Sequence, residues 1–379
     1  MSRFPSLSAA GHATPASIFA RLREHLATFK GGDFIPLQIG DTHLAPAHAL
    51  DAIRWQDLAP ADVYAYGSPA GWDSLIEAIV AKARAKNGIE LAASGVQVTV
   101  GTTHALACAM QALCDPGDEV ILVTPHWPLI KGMALAQSVR PIEVVLEHVE
   151  AAITARTSVI YVASPNNPDG AMLDAAQIGE LVRIARAHDL WILSDEVYED
   201  YGYDLPHISV ATHAPERTVT TFSFAKSYAQ AGLRVGYALG PADVIATVKK
   251  LANHSVYNVP VAMQMAAYHA LRTGEGFLAA ARERYRGARD RARSRLQAPA
   301  ALPPGGAYLW VDFAKWSGND CMPVLEKIAA RGVLLAPGSA FGDACTAHAR
   351  LCFTGVDEAR LDEGIDRING VLSSWRSIG

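Results

Sequence analysis

A lysine stands among small and aromatic residues in the stretch SFAKSYAQAGLR, which covers residues 223–234. Ser223 precedes Lys226 by three residues, and Arg234 follows it by eight. Burial in apolar surroundings disfavours the charged ammonium, lowers the lysine pKa and frees the amine as a nucleophile. A lysine that reaches solvent or forms a salt bridge would fit the same stretch. The residues therefore allow a reactive amine or an ordinary solvated lysine.

Other residues able to bind a ligand follow short apolar runs of the chain. Thr102 and Thr103 follow VQVTVG and open a helical pattern, so amides and hydroxyls there could hold a phosphate. Trp127 stands in the sequence PHWP, where an aromatic ring could cover a planar ligand. Each feature has an ordinary alternative, which is a capped turn for the threonines and core packing for the tryptophan.

Two further apolar runs end in polar groups. SVIYVA is followed by the turn-forming cluster SPNNPDG, where Asn167 could present its amide to a ligand. LWILS is followed by DEVYEDY, where Asp195 either caps a helix or needs a partner beside a buried strand. Together the run ends offer an anion site, an aromatic plate, an amide, a carboxylate and an amine. Pyridoxal 5'-phosphate (PLP) needs these groups for its phosphate, ring, pyridine nitrogen and aldehyde.

These residues need a fold that brings the ends of several strands together. Apolar runs alternate with helical patterns, which predicts an α/β layer with a mainly parallel sheet. Ligands of such sheets bind beyond the carboxyl ends of the strands. The predicted strands are VQVTV (96–100), EVILVT (119–124), SVIYVA (158–163), LWILS (190–194), TVTTFSF (218–224) and RVGYALG (234–240).

Helix signals lie between and after these runs. Residues 72–88 place apolar side chains on one face and end at Gly88, and Asp174 is a good N-cap for a second helix. The arginine-rich segment 282–295 contains acidic residues as well, which favours a solvated helix over a nucleic-acid groove. After it, alternating strand and helix patterns predict a smaller α+β domain.

Composition limits the class of protein. A chain of 379 residues, half of them hydrophobic, is long enough for two domains. Its net charge of −5 gives no general attraction to nucleic acid or to an anionic membrane, so small molecules are the expected partners. The five cysteines have no metal-binding or disulfide-framework spacing, and no apolar run is long enough for a signal or a membrane span. We therefore expect a cytoplasmic protein without a bound metal.

The chain resembles the fold-type I, class I/II PLP-dependent aminotransferases of the aspartate aminotransferase superfamily. The resemblance is carried by the Ser223-x-x-Lys226 motif, the interval of eight from Lys226 to Arg234, and the NNPDG sequence that contains Asn167. It extends from IPLQIG near residue 40 to ARLCFTG near residue 355. It implies an N-terminal arm that adds to the small domain (1–45), a large PLP-binding domain (46–280) and a C-terminal small domain (281–379).

The resemblance also implies roles for the cofactor site. Lys226 is expected to form the aldimine with PLP and to move the substrate proton, and Asp195 to pair with the pyridinium nitrogen. Asn167 and Tyr198 are expected to bind the phenolic oxygen, and Trp127 to stack on the ring. The expected phosphate ligands are Thr102, Thr103, Ser223, Arg234 and, from the neighbouring subunit of a homodimer, Tyr66.

Arg350, Gly40 and Asn167 are the substrate-binding residues that the resemblance implies, with Arg350 holding the α-carboxylate. A surface salt bridge is the ordinary alternative for this arginine. The sequence after Gly40 reads DTHL where the family usually has EPDF, so Asp41 and His43 are candidates for contacting the substrate side chain or for a structural role in the loop. Other candidates for lining the pocket are Tyr257, Asn258 and Tyr308.

The expected activity is transfer of an amino group between an L-amino acid and a 2-oxo acid. Other reactions of the same fold stay open, namely β-elimination by a carbon–sulfur lyase, a cyclase or an oxidase of a specialised amino acid. A ligand-sensing regulator of this fold would carry an N-terminal DNA-binding domain, and only about 35 residues precede the matching region. An enzyme is therefore favoured over a regulator.

Overall fold

The structure, a computed structural model, describes residues 6–16, 24, 29–47, 53, 59 and 63–375. Parts of the predicted N-terminal arm, and most of residues 48–62 at the start of the predicted large domain, lie outside the described residues. The strands are β1 (Ile35–Pro36), β2 (Val96–Thr99), β3 (Glu119–Val123), β4 (Arg140–Val144), β5 (Thr157–Ala163), β6 (Trp191–Asp195), β7 (Thr218–Ser223), β8 (Gly236–Leu239), β9 (Tyr308–Asp312), β10 (Val333–Leu334), β11 (Ala336–Pro337) and β12 (His348–Cys352).

The large sheet of the described region has seven strands in the order β2-β8-β7-β6-β5-β3-β4. Its strands are parallel except β8, which runs antiparallel to both of its neighbours, β2 and β7. The six predicted apolar runs form β2, β3, β5, β6, β7 and β8 within about two residues of the expected bounds. Because β8 begins at the edge where the parallel strands end, Arg234 just before β8 lies at the same edge as Lys226 just after β7.

The strand β4 was missed by the sequence pattern. Its sequence, RPIEV, contains an arginine, a proline and a glutamate, so it shows no apolar run. In the described structure β4 pairs with β3 alone and forms the end of the sheet. Proline is tolerated in an edge strand because its missing N–H faces away from the neighbour.

Helices cover the sheet and connect the strands. The predicted ends are confirmed: Gly88 closes the first long helical segment in a left-handed conformation, and Asp174 caps its helix in a reciprocal capping box with Gln177. The α-helices are Ala9–Ala13, Asp73–Lys82, Gly101–Leu113, Pro128–Ala136, Ala175–Ala187, Phe224–Ser227, Ala242–Val256, Val261–Thr273, Glu275–Arg295, Ala314–Ser317, Met322–Ala329 and Glu358–Ser373.

Both faces of the large sheet are buried. In the β5 strand, the consecutive residues 159–162 are all buried, as expected for a parallel strand between two helical layers. A second, smaller sheet has the order β11-β12-β9 and is antiparallel, and β1 pairs in parallel with β10. None of the helices in the described ranges combines the length and apolar character needed to span a bilayer.

The arginines of the long helix Glu275–Arg295 face solvent as predicted, with the exception of Arg289. Arg289 is only 2% exposed and lies over the ring of Tyr203, with its guanidinium carbon 4.8 Å from the ring centroid. It donates to Asp204 at 2.5 Å and to the Pro303 carbonyl at 2.9 Å. Arg289 also forms an ion pair of 2.8 Å with the adjacent Asp290, but Asp204 lies 85 residues away in the sequence, so the local charge pattern gave no sign of it.

We expect Arg289→Ala to destabilise the protein, because the buried Pro303 carbonyl loses its donor and the Tyr203 ring loses its packing partner. A loss of about 2 kcal/mol, lowering the thermal unfolding midpoint by about 2–4 °C, is the expected size. Differential scanning calorimetry measures it, with Arg284→Ala as the matched control because Arg284 is exposed on the same helix. Equal midpoints for the two variants would contradict the structural role.

Candidate active site

A cavity of about 220 Å³ lies beyond the carboxyl ends of the parallel strands. The wall is formed by separate loops at this edge of the sheet and by three segments of the small-sheet region, namely the residues after β1, the strand β9 and the strand β12. Residues predicted from the sequence make up most of the wall. They are Gly40, Thr102, Thr103, Trp127, Asn167, Asp195, Tyr198, Ser223, Lys226, Arg234, Tyr308 and Arg350.

Lys226 lies in the one-turn helix Phe224–Ser227, which begins where β7 ends. Ser223 caps this helix by accepting a hydrogen bond of 3.0 Å from the backbone amide two residues later. The Lys226 ammonium donates to the carbonyl of Gly40. Burial lowers the pKa of Lys226, although the nearby Asp41 carboxylate acts in the opposite direction. The lysine is therefore held in the desolvated environment that a reactive amine requires.

The helix Gly101–Leu113 begins at the cavity, and the side chain of Arg234 lies against its first residue. The first amides of a helix have no helical acceptors and attract anions. Arg234 has a left-handed backbone with φ of 56°. A Cβ atom on Gly101 would lie 2.5 Å from Nη2 of Arg234, so the guanidinium fits against the helix start only because residue 101 is glycine. The Thr102 hydroxyl donates to the Phe222 carbonyl at 2.8 Å, so its proton is already used. The backbone amide of Thr102, in the first turn of the helix, is the group that could bind an anion.

Asp195 ends β6 and is 9% exposed. Its carboxylate accepts hydrogen bonds from the Tyr161 hydroxyl at 3.2 Å and the Val197 amide at 3.4 Å. Burial raises the pKa of Asp195 to about 6, and the hydrogen bond from Tyr161 offsets only part of this effect. None of the ion pairs among the described residues includes Asp195, so a cationic ligand group is the partner that would complete its environment.

Arg350 lies on β12 and is buried. It donates to Oδ1 of Asn167 at 2.7 Å and to the carbonyl of Gln38 at 2.5 Å, and its guanidinium carbon lies 4.3 Å from the ring centroid of Tyr308. The buried Nε atom has no hydrogen-bond partner in the described structure. Arg350 also lines the cavity, where a planar cation of this kind suits a carboxylate.

Tyr198 and Trp127 form further parts of the wall. The Tyr198 hydroxyl is hydrogen-bonded to that of Tyr308, and the two rings meet edge to face with centroids 5.6 Å apart. Trp127 is half-buried at the start of the helix Pro128–Ala136, where it can cover a planar ligand.

Other candidates from the sequence lie away from this cavity. Tyr66 is 84% exposed and packs against Tyr257, with ring centroids 4.7 Å apart. Asn258 donates to a backbone carbonyl at 2.8 Å. His43 is bonded through Nδ1 to the Thr354 carbonyl at 3.0 Å, in accordance with the structural alternative for this loop.

A polar network behind Trp127 was missed by the sequence reasoning. The fully buried His126 is hydrogen-bonded to the Trp127 carbonyl at 3.0 Å and to the Glu143 carboxylate at 3.1 Å. Lys131 forms ion pairs of 2.8 Å with Glu143 and Asp343. Burial alone would raise the pKa of Glu143, but the hydrogen bonds it accepts lower the pKa to about 2. The network could not be predicted from the sequence because Glu143 lies on β4, the strand that the apolar pattern did not reveal.

Comparison with known protein families identifies the chain. A family model described as aminotransferase class I and II matches residues 33–368. The chain belongs to this family. It is therefore an aminotransferase, and the resemblance noted in its sequence is confirmed.

Individual aminotransferases are similar to the chain over most of their length. A probable aspartate/prephenate aminotransferase of Thermus aquaticus is 35% identical over 360 residues, covering 90% of this chain and 92% of that protein. An arginine–pyruvate transaminase of Pseudomonas aeruginosa is 34% identical over 340 residues, covering 85% and 86%. The solved structure of a single mutant of Thermus thermophilus aspartate aminotransferase gives a TM-score of 0.90 at 31% identity, covering 97% of this chain and all of that one.

We expect Asp195→Asn to stabilise the cofactor-free aminotransferase at high pH. The pKa of Asp195 is about 6 in the folded protein, above its ordinary value of 3.8, so stability is lost as the pH rises from the lower to the higher value. Asparagine does not ionise, so the variant keeps its stability over this pH range, and its Oδ1 can still accept a hydrogen bond from the Tyr161 hydroxyl.

The expected gain is about 2 kcal/mol at about pH 8 and near zero at about pH 4. Thermal unfolding of the cofactor-free protein across this range measures it, with Asp189→Asn as control because that side chain is fully exposed. A gain that does not depend on pH would show that burial of the charge is not its cause.

Proposed function

We propose that this aminotransferase binds PLP in the cavity and transfers an amino group between an L-amino acid and a 2-oxo acid. Members of the family depend on PLP. The observation that carries the proposal is the convergence of three groups on one cavity. These are the desolvated amine of Lys226, the buried carboxylate of Asp195, and the helix start with Arg234.

The residues of the cavity fit the cofactor. The helix amides beside Gly101, where a Cβ would meet the Arg234 guanidinium, suit the phosphate. Asp195, a carboxylate outside every ion pair of the described residues, suits a protonated ring nitrogen. The Oδ1 atom of Asn167 accepts from Arg350, so its amide hydrogens are left for the phenolic oxygen. The groups proposed to hold PLP are Thr102, Thr103, Trp127, Asn167, Asp195, Tyr198, Ser223, Lys226 and Arg234.

PLP, when bound, supplies an electron sink for the electron pair left on the substrate Cα after proton removal. The chain's own residues supply the rest. Lys226, with its lowered pKa, would take the proton from the substrate Cα at Nζ and deliver it to C4′, the cofactor carbon that carries the aldehyde. Asp195 holds the proton on the ring nitrogen. Arg350 binds the substrate carboxylate through two parallel hydrogen bonds and orients Cα toward Lys226.

The substrate pair shares an α-carboxylate, which Arg350 and Asn167 would recognise beside Gly40. The relatives are named for different substrates, aspartate or prephenate in one case and arginine with pyruvate in the other. We therefore assign only the recognition of the α-carboxylate, which these substrates have in common.

We also propose a homodimer with shared active sites. Tyr66 is large, 84% exposed and outside the cavity of its own chain, which suits a tyrosine that reaches the phosphate of the neighbouring subunit. The division into an N-terminal arm (1–45), a PLP-binding domain (46–280) and a small domain (281–379) is retained as a proposal, supported by the pairing of β1 with β10. A cytoplasmic location stays a prediction from cysteine usage.

The proposal requires PLP to be attached through Lys226. Borohydride reduction of the PLP-saturated protein is expected to add the cofactor mass to the peptide that contains Lys226. Lys226→Ala is expected to lower kcat by about 10⁴-fold, because the base that moves the Cα proton is lost. Lys249→Ala is the control, since that lysine is exposed and distant from the cavity lining.

The same assay separates transamination from elimination. Turnover is expected to require a 2-oxo acid acceptor. Release of ammonia or pyruvate without an acceptor would favour the lyase alternative, and near-normal turnover by Lys226→Ala would overturn the proposed role of the lysine.

The dimer proposal predicts that Tyr66→Phe weakens PLP binding by about tenfold, since one hydrogen bond to the phosphate is lost. Tyr64→Phe is a close control, because Tyr64 is 87% exposed and only two residues away. Equilibrium dialysis measures the affinity, and sedimentation gives the mass of the assembly. A monomer, or equal PLP affinity for both variants, would contradict shared sites.

A further inference from the structure

Tyr308 begins β9 in the small-sheet region and is 1% exposed. Its side chain contacts three groups that the proposed function uses, and each comes from a different part of the chain. They are the hydroxyl of Tyr198, the backbone of Gly40 and the guanidinium of Arg350. Tyr308 is therefore placed where the large and small sheets meet at the cavity.

The contact with Tyr198 determines where hydroxyl protons can point. Each hydroxyl carries one proton, and among the described residues the hydroxyls of Tyr198 and Tyr308 hydrogen-bond to each other and to nothing else. When the Tyr198 proton is directed to an acceptor in the cavity, Tyr308 must be the donor of the pair. A hydroxyl that accepts one hydrogen bond donates a stronger one. Tyr308 therefore strengthens the donation from Tyr198 into the cavity.

The contact with Gly40 fixes a second group. A Cβ atom on Gly40 would overlap the hydroxyl oxygen of Tyr308, so this hydroxyl occupies the space that a side chain at residue 40 would need. The carbonyl of the same glycine accepts from Lys226. The hydroxyl of Tyr308 therefore packs against Gly40, whose carbonyl accepts the hydrogen bond from Lys226.

The ring of Tyr308 has a separate role. The Arg350 guanidinium carbon lies 4.3 Å from its centroid, a distance typical of a cation–π contact. The ring face supports the planar group that binds the substrate carboxylate, and the ring edge carries the hydroxyl that contacts Tyr198 and Gly40. Two substitutions can therefore separate the two roles.

We propose that Tyr308 is a positioning residue of the aminotransferase: its hydroxyl directs Tyr198 toward the cofactor and fixes the Gly40 carbonyl beside Lys226, while its ring supports Arg350. This inference rests on the proposed PLP site. The titratable groups that act on the tyrosine pair are Arg350, Cys352 and Asp41, and burial keeps the pKa of Tyr308 at about 12, so its hydroxyl carries a proton throughout the neutral range.

The first test is the pH titration of bound PLP by absorbance in Tyr308→Phe. A donor to the phenolic oxygen withdraws negative charge that would otherwise stabilise the proton on the neighbouring Lys226 nitrogen. Weaker donation from Tyr198 should therefore raise the pH midpoint by about 0.3–0.7 units. Tyr203→Phe is the control, because the Tyr203 hydroxyl donates to the Gly306 carbonyl two residues before Tyr308.

The second test separates the ring from the hydroxyl by steady-state kinetics. Tyr308→Phe keeps the ring under Arg350, so KM for the amino acid should stay within about twofold of the wild-type value. Tyr308→Leu removes the ring, and KM should rise by about tenfold.

The third test is a double-mutant cycle with Gly40→Ala. The added methyl group meets the Tyr308 hydroxyl, and the displaced carbonyl should lower kcat/KM by about 100-fold. The double variant Gly40→Ala/Tyr308→Phe lacks the hydroxyl, and its kcat/KM should be about tenfold higher than that of Gly40→Ala alone. Thermal unfolding midpoints of all variants establish that each is folded.

The outcomes distinguish this inference from the proposed function. Wild-type protein that takes up no PLP at Lys226 overturns both. Wild-type protein that binds PLP normally, combined with an unchanged midpoint in Tyr308→Phe, overturns the inference alone. Equal losses from Gly40→Ala in both backgrounds do the same, because they would show that the hydroxyl does not hold residue 40.

Discussion

The burial of charge is the constraint on which the rest of this site depends. Lys226, Arg350 and the carboxylate of Asp195 have little contact with solvent in a cavity of about 220 Å³, and the exposed Arg234 lines its edge. Removing such groups from water is costly unless each is paired or hydrogen-bonded. Backbone carbonyls accept from all three cations, including that of Gly40 from Lys226. A carbonyl satisfies donors without neutralising charge, so the cavity favours a ligand with anionic groups at two ends and a proton donor for the carboxylate between them.

The topology of the sheet explains why groups so far apart in sequence meet. Parallel strands place their carboxyl ends at one edge, and β6 pairs with β7, so Asp195 at the end of β6 and Lys226 just after β7 line the same cavity. Arg234 would lie at the far edge if β8 were parallel. The antiparallel direction of β8 returns the chain to the site within eight residues, and the left-handed backbone of Arg234 accommodates the turn.

Much of this could be predicted from the sequence because the signals are local. Buried parallel strands read as apolar runs, and the residues after them follow directly. The edge strand β4 could not be recognised, since Pro141 and Glu143 interrupt its pattern. The burial of Arg289 could not be predicted with the rest of its helix, because the ring and carboxylate that it contacts, Tyr203 and Asp204, belong to a distant loop. The fit of Tyr308 against Gly40 joins residues that are far apart in the chain, and no sequence window contains both.

Contacts between the two sheet regions bear directly on the chemistry. Gly40 accepts from Lys226, Tyr308 is bonded to Tyr198, and Arg350 donates to Asn167; in each case the first residue belongs to the small-sheet region and the second to the large sheet. A shift of the small sheet would therefore disturb the amine, the phenol and the amide at the same time.

In the proposed function, the substrate would bind at this same boundary. A carboxylate that binds Arg350 competes with Asn167 for the guanidinium, because the hydrogen bond between these two side chains is made within the protein. The contact between the guanidinium and the ring of Tyr308 does not involve Asn167 and is independent of this competition. In the proposed function, recognition of the carboxylate would be coupled in this way to the groups that surround Lys226, since Arg350 and Asn167 also join the two sheets.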